Sequence, residues 1–343
     1  MRESPFLAAC RRQPADRTPV WFMRQAGRYM PEYRAARARR SILAICHRPK
    51  LVAQITLQPV ERLGVDAAIV FADILLPFEP LGLGLSYAET TGPKIWHPIR
   101  KPADVDKLKK VDPAADLAYA IEGVRQTKAS LVAKFPGTPL IGFAGAPFTL
   151  ASYAIEGATS RHFTATKQFM YEHPGAWHEL MDRLAAMVGA FLAEQAAAGA
   201  DALQLFDSWV GCLSVMDYRE YVLPHTKRAI ELAATAGVPI IHFGTDTATL
   251  LEAMAEAGGD VIGVDWRIPL DVAWKRIGDR AIQGNLDPAA LHAPMPELER
   301  RVKDVLRRAA GKPGHIFNLG HGIQPGTPVK NVKAVVDLVH AGR

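Results

Sequence analysis

The chain has 343 residues, 41 basic against 35 acidic side chains for a net charge of +6, and 49% hydrophobic residues. This composition excludes a disordered chain, which would be poor in apolar residues. Three dispersed cysteines, Cys10, Cys46 and Cys212, form no CxxC and no disulfide framework; they point to a reducing, cytoplasmic setting and away from structural zinc.

In chain order, the N-terminal MRESPFLAACRRQPADR lacks the apolar run of a signal peptide. Short apolar runs then recur at Val20–Met23, Ala67–Phe71, Leu140–Phe143, Ala202–Phe206, Pro239–Phe243, Val261–Val264, Ala281–Gln283 and His315–Leu319. They have the brevity of buried parallel strands, and several are rich in Val and Ile. Helical stretches fall between them. Pro49–Leu63 opens with Pro and stops at Gly64, and Trp177–Ala198 stops at Gly199. Tyr218–Ala236, Thr247–Ala257 and Pro296–Ala310 follow, each closed by glycine. Eight strands alternating with helices predict an α/β fold: a single (β/α)8 TIM barrel over 1–343, with its cleft at the C-terminal strand ends. A doubly wound sheet would carry a GxGxxG after its first strand, and none is present.

Two stretches need separate readings. The insert Ile74–Thr138, rich in Gly and Pro, predicts a lid or loop at one mouth followed by a helix near Ala114–Lys134. The uncharged stretch Phe135–Ile155 approaches the length of a membrane span. Its prolines and glycines would leave backbone groups unsatisfied in lipid, so no membrane association is expected. Arg34, Arg37, Arg39 and Arg40 read as a solvated helix face, and no aromatic-rich motif beside them points to nucleic acid.

Polar groups follow every predicted strand. The strand-end residues are Arg24, Gln25, Ala26, Gly27 and Arg28; Asp73; Gly145 to Pro147 with Tyr153; Asp207, Ser208 and Trp209; His242; Asp265, Trp266 and Arg267; Asn285 and Asp287; Asn318 and His321. The paired arginines of MRQAGR suit carboxylates or phosphates, or serve as salt bridges and caps, and Gly27 suggests a loop that something approaches closely. Asp73 in FADILLPF is desolvated unless paired, as a functional anion or a structural ion pair. His321 and Tyr153 are each open to a structural reading; their meeting at one mouth is the signal. His242 has no cysteine partner and no cysteine lies beyond Cys212, so a His/Cys/Cys zinc site cannot be assembled. A Walker loop, GxSxG and HExxH are missing, and no lysine lies at a strand end for a Schiff base.

The segments PVWFMRQAGRYMPEYR, FADILLPFEPLG, GFAGAPFTLASYAIEG, QLFDSWVG, VIGVDWR, QGNLDP and FNLGHGI together resemble the uroporphyrinogen decarboxylase family of haem biosynthesis, across residues 19–328 in family order. The resemblance implies a (β/α)8 barrel, usually a homodimer, working without cofactor or metal. It implies loss of four acetate carboxylates from uroporphyrinogen III as CO2, giving coproporphyrinogen III. Asp73 matches the central aspartate that accepts pyrrole N–H groups and stabilises a cationic intermediate. Arg24 and Arg28 match substrate-carboxylate arginines that can also assist protonation. Tyr153, Ser208 and His321 match substrate-binding positions, and Gln25, Ala26 and Gly27, within the arginine motif, are counted with the substrate-binding residues. The catalytic set implied is Asp73, Arg24, Arg28, Tyr153 and His321, with the small-molecule substrate as partner. Ala72, Phe148 and the loop HFGTDT depart from the family pattern and touch only the fine shape of the pocket. Rival readings are a zinc or corrinoid methyltransferase of the same superfamily, a non-catalytic tetrapyrrole-binding protein, and an RNA-binding arginine surface.

Overall fold

A computed structural model of the chain describes residues 4–88 and 92–342. The strands among these residues are β1 (Ala68–Ile69), β2 (Leu85–Ala88), β3 (Gly92–Ile95), β4 (Leu140–Gly145), β5 (Ala202–Asp207), β6 (Ile240–Gly244), β7 (Val261–Gly263), β8 (Ala281–Leu286) and β9 (His315–Leu319). Seven form one parallel sheet in the order β1-β4-β5-β6-β7-β8-β9. Neighbouring strands that follow one another through a helix are the topology expected of successive βα units. The sheet curls. Trp21 Nε1 donates to Gln283 Oε1 of β8 at 3.0 Å, and Gln283 Nε2 donates to Gln204 Oε1 of β5 at 3.1 Å.

The strand expected first, Val20–Met23, does not form. Val20 makes an isolated parallel bridge to Phe317. The reason is local. Pro19 has no N–H to give, and the Val20 N–H is diverted to the Asp66 carboxylate at 2.8 Å. What remains is Phe317 N–H to Pro19 O at 2.8 Å and Trp21 N–H to Phe317 O at 3.3 Å on one side, and Asp66 N–H to Val20 O at 2.8 Å on the other.

The helices mostly match their sequence signals. Pro49–Leu63 has the expected bounds and ends on Gly64 at φ 70°, the left-handed turn that glycine adopts without strain. Pro174–Ala197 is the longest helix among the described residues. Gly189 lets it approach Leu223–Ala234 closely: a Cβ there would lie 2.5 Å from Leu232 Cβ. Tyr218–Ala236 is not one helix but two, Val215–Tyr221 and Leu223–Ala234. Val222 leaves the helical conformation at φ −125°, and Pro224 starts the new helix in its first turn. The helix read from Thr247 begins at Leu251.

The insert holds more order than a loop. It carries the antiparallel hairpin β2–β3, short helices at Phe78–Leu81, Pro102–Val105 and Pro113–Asp116, and the long helix Ala118–Lys134. The uncharged stretch 135–155 spans β4 and most of the helix Pro147–Glu156. Among the described residues no helix is long and apolar enough to cross a membrane.

Candidate active site

All seven sheet strands are parallel, so their C-terminal ends open on one side. Phe143 of β4 and Phe206 of β5 meet there edge to face at 5.4 Å, and Phe206 meets Phe243 of β6 at 5.8 Å. Phe143 and Phe206 stay partly exposed, an apolar floor in which a flat ring system would lose water on contact.

The loop after Val20 carries the arginine motif. Arg24 takes a left-handed conformation at φ 59°, a strained choice for a non-glycine, and its side chain is exposed. It lies flat on the backbone of Gly322: a Cβ at 322 would come within 2.5 Å of Arg24 Cδ. Gln25 turns the other way and is buried. Its Oε1 accepts from Phe22 N–H at 3.1 Å and its Nε2 donates to Ala67 O at 3.1 Å. Tyr29 donates its hydroxyl to Gln25 O at 2.7 Å. The Gln25 side chain thus holds the loop together and does not project into the cleft. Gly27 has a reason within the loop itself. A Cβ there would sit 2.7 Å from Arg24 O, so the neighbour is the loop's own backbone. Ala26 is partly buried and Arg28 exposed on the same loop.

Asp73 follows β1 and is half-buried. Its Oδ1 accepts from Leu75 N–H at 2.8 Å. Burial pushes its pKa up, while the Tyr87 hydroxyl, the Leu75 N–H and the Arg24 guanidinium pull against that rise. A cavity of about 10 Å³, bounded by Cys46, Phe71, Asp73, Phe143 and Gln195 among others, lies beside it; that is room for one water. Tyr153, on the helix Pro147–Glu156, is buried, and burial with the nearby Asp73 charge pushes it up to about 12. Its phenol is therefore a neutral donor at neutral pH. It rests edge to face on Trp209 at 5.9 Å, next to Ser208, which is partly exposed after β5.

His321 follows β9. Gly322 N–H donates to His321 Nδ1 at 2.6 Å, so Nδ1 is an acceptor and the proton sits on Nε2. Burial, with Arg24 and Arg267 nearby, pushes its pKa down to about 4. The ring is neutral at physiological pH and presents an N–H.

Arg24, Asp73, Tyr153 and His321 are thus within electrostatic reach of one another. Arg28 joins them through Tyr33, which feels both Arg28 and Asp73. Other strand-end polar groups prove structural. Asn285 Nδ2 donates to Asp265 O and Ile268 O, at 2.9 and 2.7 Å. Asn318 Oδ1 accepts from Met23 and Leu319 N–H. Arg267 is pinned between Asp246 at 2.7 Å and Asp265 at 2.5 Å. His242 and Asp207 are buried and do not enter the cleft.

Tyr87, from β2 in the insert, was not legible in the sequence. Its hydroxyl is buried, has no hydrogen-bond partner among the described residues and lies beside Asp73 and Tyr153. Tyr87→Phe removes an influence that keeps Asp73 ionised. The Asp73 pKa then rises further, so the acid limb of kcat/KM should move to higher pH while the alkaline plateau is retained. A superimposable pH profile would separate Tyr87 from Asp73. Gly322→Ala is expected to displace Arg24 and lower kcat/KM by about 10- to 100-fold, with the fold intact by circular dichroism. Unchanged kinetics would mean that the Arg24 pose does not matter.

Residues 1–342 match the family described as uroporphyrinogen decarboxylase (URO-D). A protein of Sorangium cellulosum named uroporphyrinogen decarboxylase is 56% identical over 337 residues, covering 98% of this chain and 95% of its own. One of the same name from Chloroflexus aurantiacus is 55% identical over 341 residues, with coverage of 98% and 95%. Among solved structures, a methyltransferase from Methanosarcina mazei aligns with a TM-score of 0.80 at 18% identity, covering 98% of this chain and 97% of its own. A B12-independent methionine synthase from Shewanella aligns with a TM-score of 0.57 at 12% identity, covering 87% and 88%. At those identities the two structures speak to the fold alone.

Proposed function

The chain belongs to the uroporphyrinogen decarboxylase family, and from that premise we propose that it removes the four acetate carboxylates of uroporphyrinogen III as CO2, leaving methyl groups and coproporphyrinogen III, in haem biosynthesis. The observation that carries this reading is the 52–56% identity to decarboxylases of that name over 98% of the chain. The methyltransferase reading has only the fold behind it.

In the proposed mechanism, each step begins with a proton delivered to a pyrrole ring carbon. This makes an iminium-like cation. The bond from the acetate methylene to its carboxyl carbon then breaks, and its electron pair moves into the cation as CO2 leaves. A second proton closes the exocyclic methylene to a methyl group, and the ring proton is lost. The net exchange is one CO2 for one proton. Because the protonated pyrrole is itself the electron sink, the reaction is assigned no cofactor and no metal.

Asp73 is assigned to accept the pyrrole N–H groups and to hold the cation. A fixed anion in a partly desolvated site stabilises a developing charge better than water, which must reorient. Arg24 and Arg28 engage the substrate carboxylates with guanidinium forks. Tyr153, Ser208 and the Nε2–H of His321 donate further hydrogen bonds. With its pKa near 4, His321 serves as a donor of a hydrogen bond and not as an imidazolium acid. The role of Gln25 is to shape the arginine loop. The net charge of +6 favours encounter with a polyanionic substrate.

The same reading takes the Pro19–Trp21 segment as the stave that closes the seven-stranded sheet into an eight-fold barrel spanning 1–343. Its hydrogen bonds to β9 and to Asp66 support this. A cytoplasmic homodimer that takes no nucleic acid is proposed on the family resemblance.

Anaerobic incubation with uroporphyrinogen, followed by oxidation and separation of products by carboxylate number, tests the activity. Species with seven, six, five and finally four carboxylates are expected. Bound but undiminished substrate would support a carrier instead.

A further inference from the structure

Behind the β5 rim of the cleft lies a buried polar cluster that the proposed reaction does not use. Asp207 ends β5 and His242 lies on β6, and neither side chain is exposed. The register pairs Leu205 with His242 and Asp207 with Gly244, so both side chains lie on the same face of the sheet. This is the face opposite Phe206 and Phe243, turned toward the helices. Asp207 Oδ2 and His242 Nε2 are 3.7 Å apart. Among the described residues, Asp207 Oδ2, both His242 nitrogens and the Tyr218 hydroxyl have no hydrogen-bond partner. Asp207 Oδ1 accepts from the Thr149 hydroxyl at 3.3 Å.

An isolated buried carboxylate and an isolated buried imidazolium are each costly, and each ring nitrogen or oxygen left unpaired adds its own penalty. One proton held between Asp207 and His242 removes the net charge and satisfies an atom on each side. The observed 3.7 Å exceeds hydrogen-bond length, so the contact needs a small closure or one bridging water. The other groups facing the pair carry no compensating cation. Thr149 comes from the helix Pro147–Glu156 and Tyr218 from Val215–Tyr221, while Cys212 lies on the connecting turn. Charged groups around them include Glu256, facing Tyr218, and Asp217 and Lys167, beside Cys212, whose carbonyl accepts from Lys167.

We propose that Asp207 and His242 form a one-proton pair that positions Ser208 and Trp209 at the cleft. The function assigned to it rests on the decarboxylase reading of that cleft. Asp207 directly precedes Ser208. The Ser208 carbonyl accepts from the Thr245 hydroxyl at 2.5 Å, so the ends of β5 and β6 are joined twice, below by the pair and above by this bond. Trp209 in turn supports Tyr153. Asp207 and His242 are positioning residues and do not touch substrate. Burial alone would raise the Asp207 carboxyl, which agrees with a proton kept in the pair.

The test is ¹⁵N NMR of the histidine side chains in the full chain, with His242 assigned from His242→Phe. In the native protein the His242 Nε2 resonance is expected to be that of a hydrogen-bonded ring nitrogen, and Asp207→Asn is expected to shift it. His242→Phe leaves Asp207 to hold its own proton, so kcat/KM should fall at alkaline pH relative to the native enzyme. His242 resonances that ignore Asp207→Asn would overturn the pair. The resonances need no substrate. A pair that behaves as expected in a protein without turnover would therefore count against the decarboxylase reading and not against the pair. If His242→Phe fails to fold, selective labelling with Asp207→Asn still decides.

Discussion

Asp73→Asn is expected to lower kcat by about 10²- to 10³-fold, the cost typical of removing one fixed electrostatic partner of a developing charge. The melting temperature should be unchanged or higher. The sign follows from the environment. Burial raises the Asp73 pKa in the folded state, so folding is linked to holding that proton. Stability from this group is full below the unfolded carboxyl pKa and declines as pH rises through the folded one. At neutral pH the ionised side chain therefore costs stability, and Asn removes that cost while keeping the shape. Loss of turnover with retained or improved stability marks a residue placed for chemistry. Loss of both would make Asp73 structural. Substrate binding should survive better than kcat, because the carboxylate contacts belong to other groups.

Arg24→Ala is expected to lower kcat/KM by about 10- to 100-fold, the range for losing one or two charge-assisted hydrogen bonds. Two independent effects add. A carboxylate-binding fork is lost, and so is the cation that helps keep Asp73 ionised, so the acid limb should also move to higher pH. His321 would respond in the same direction, since Arg24 is one cause of its low pKa. Arg24→Lys restores the charge but not the fork and should recover the pH profile more than KM. A variant with native KM and native profile would leave the strained φ of 59° without a functional reason.

Seven of the eight predicted strands were legible because short Val- and Ile-rich runs must be buried on both faces. The eighth failed on two details that apolar content does not encode: a proline without an N–H and the distant Asp66 that captures Val20. Asp73, Arg24, Arg28, Tyr153, Ser208 and His321 could be placed at one mouth because strand ends in a parallel sheet share a side. The face on which each side chain emerges was not legible. Asp207 and His242 sit at strand ends like the others, yet pleating turns them toward the helices. Gln25 looked like a ligand group and is a brace. Tyr87 arrives from a hairpin of two short strands within a Gly- and Pro-rich insert, a pattern too brief to orient a side chain from spacing. Phe143 and Phe206 read only as strand core until the sheet curls and brings them to the cleft floor.

The most direct test of the central claim is anaerobic turnover by chelator-treated enzyme in D₂O, with the new methyl groups of the oxidised product examined by NMR. The account predicts the same rate as for untreated enzyme in D₂O and one deuterium in each of four new methyl groups, since every CO2 is replaced by one solvent proton. Activity lost on chelation and restored by a metal ion, or methyl groups formed without solvent deuterium, would contradict it.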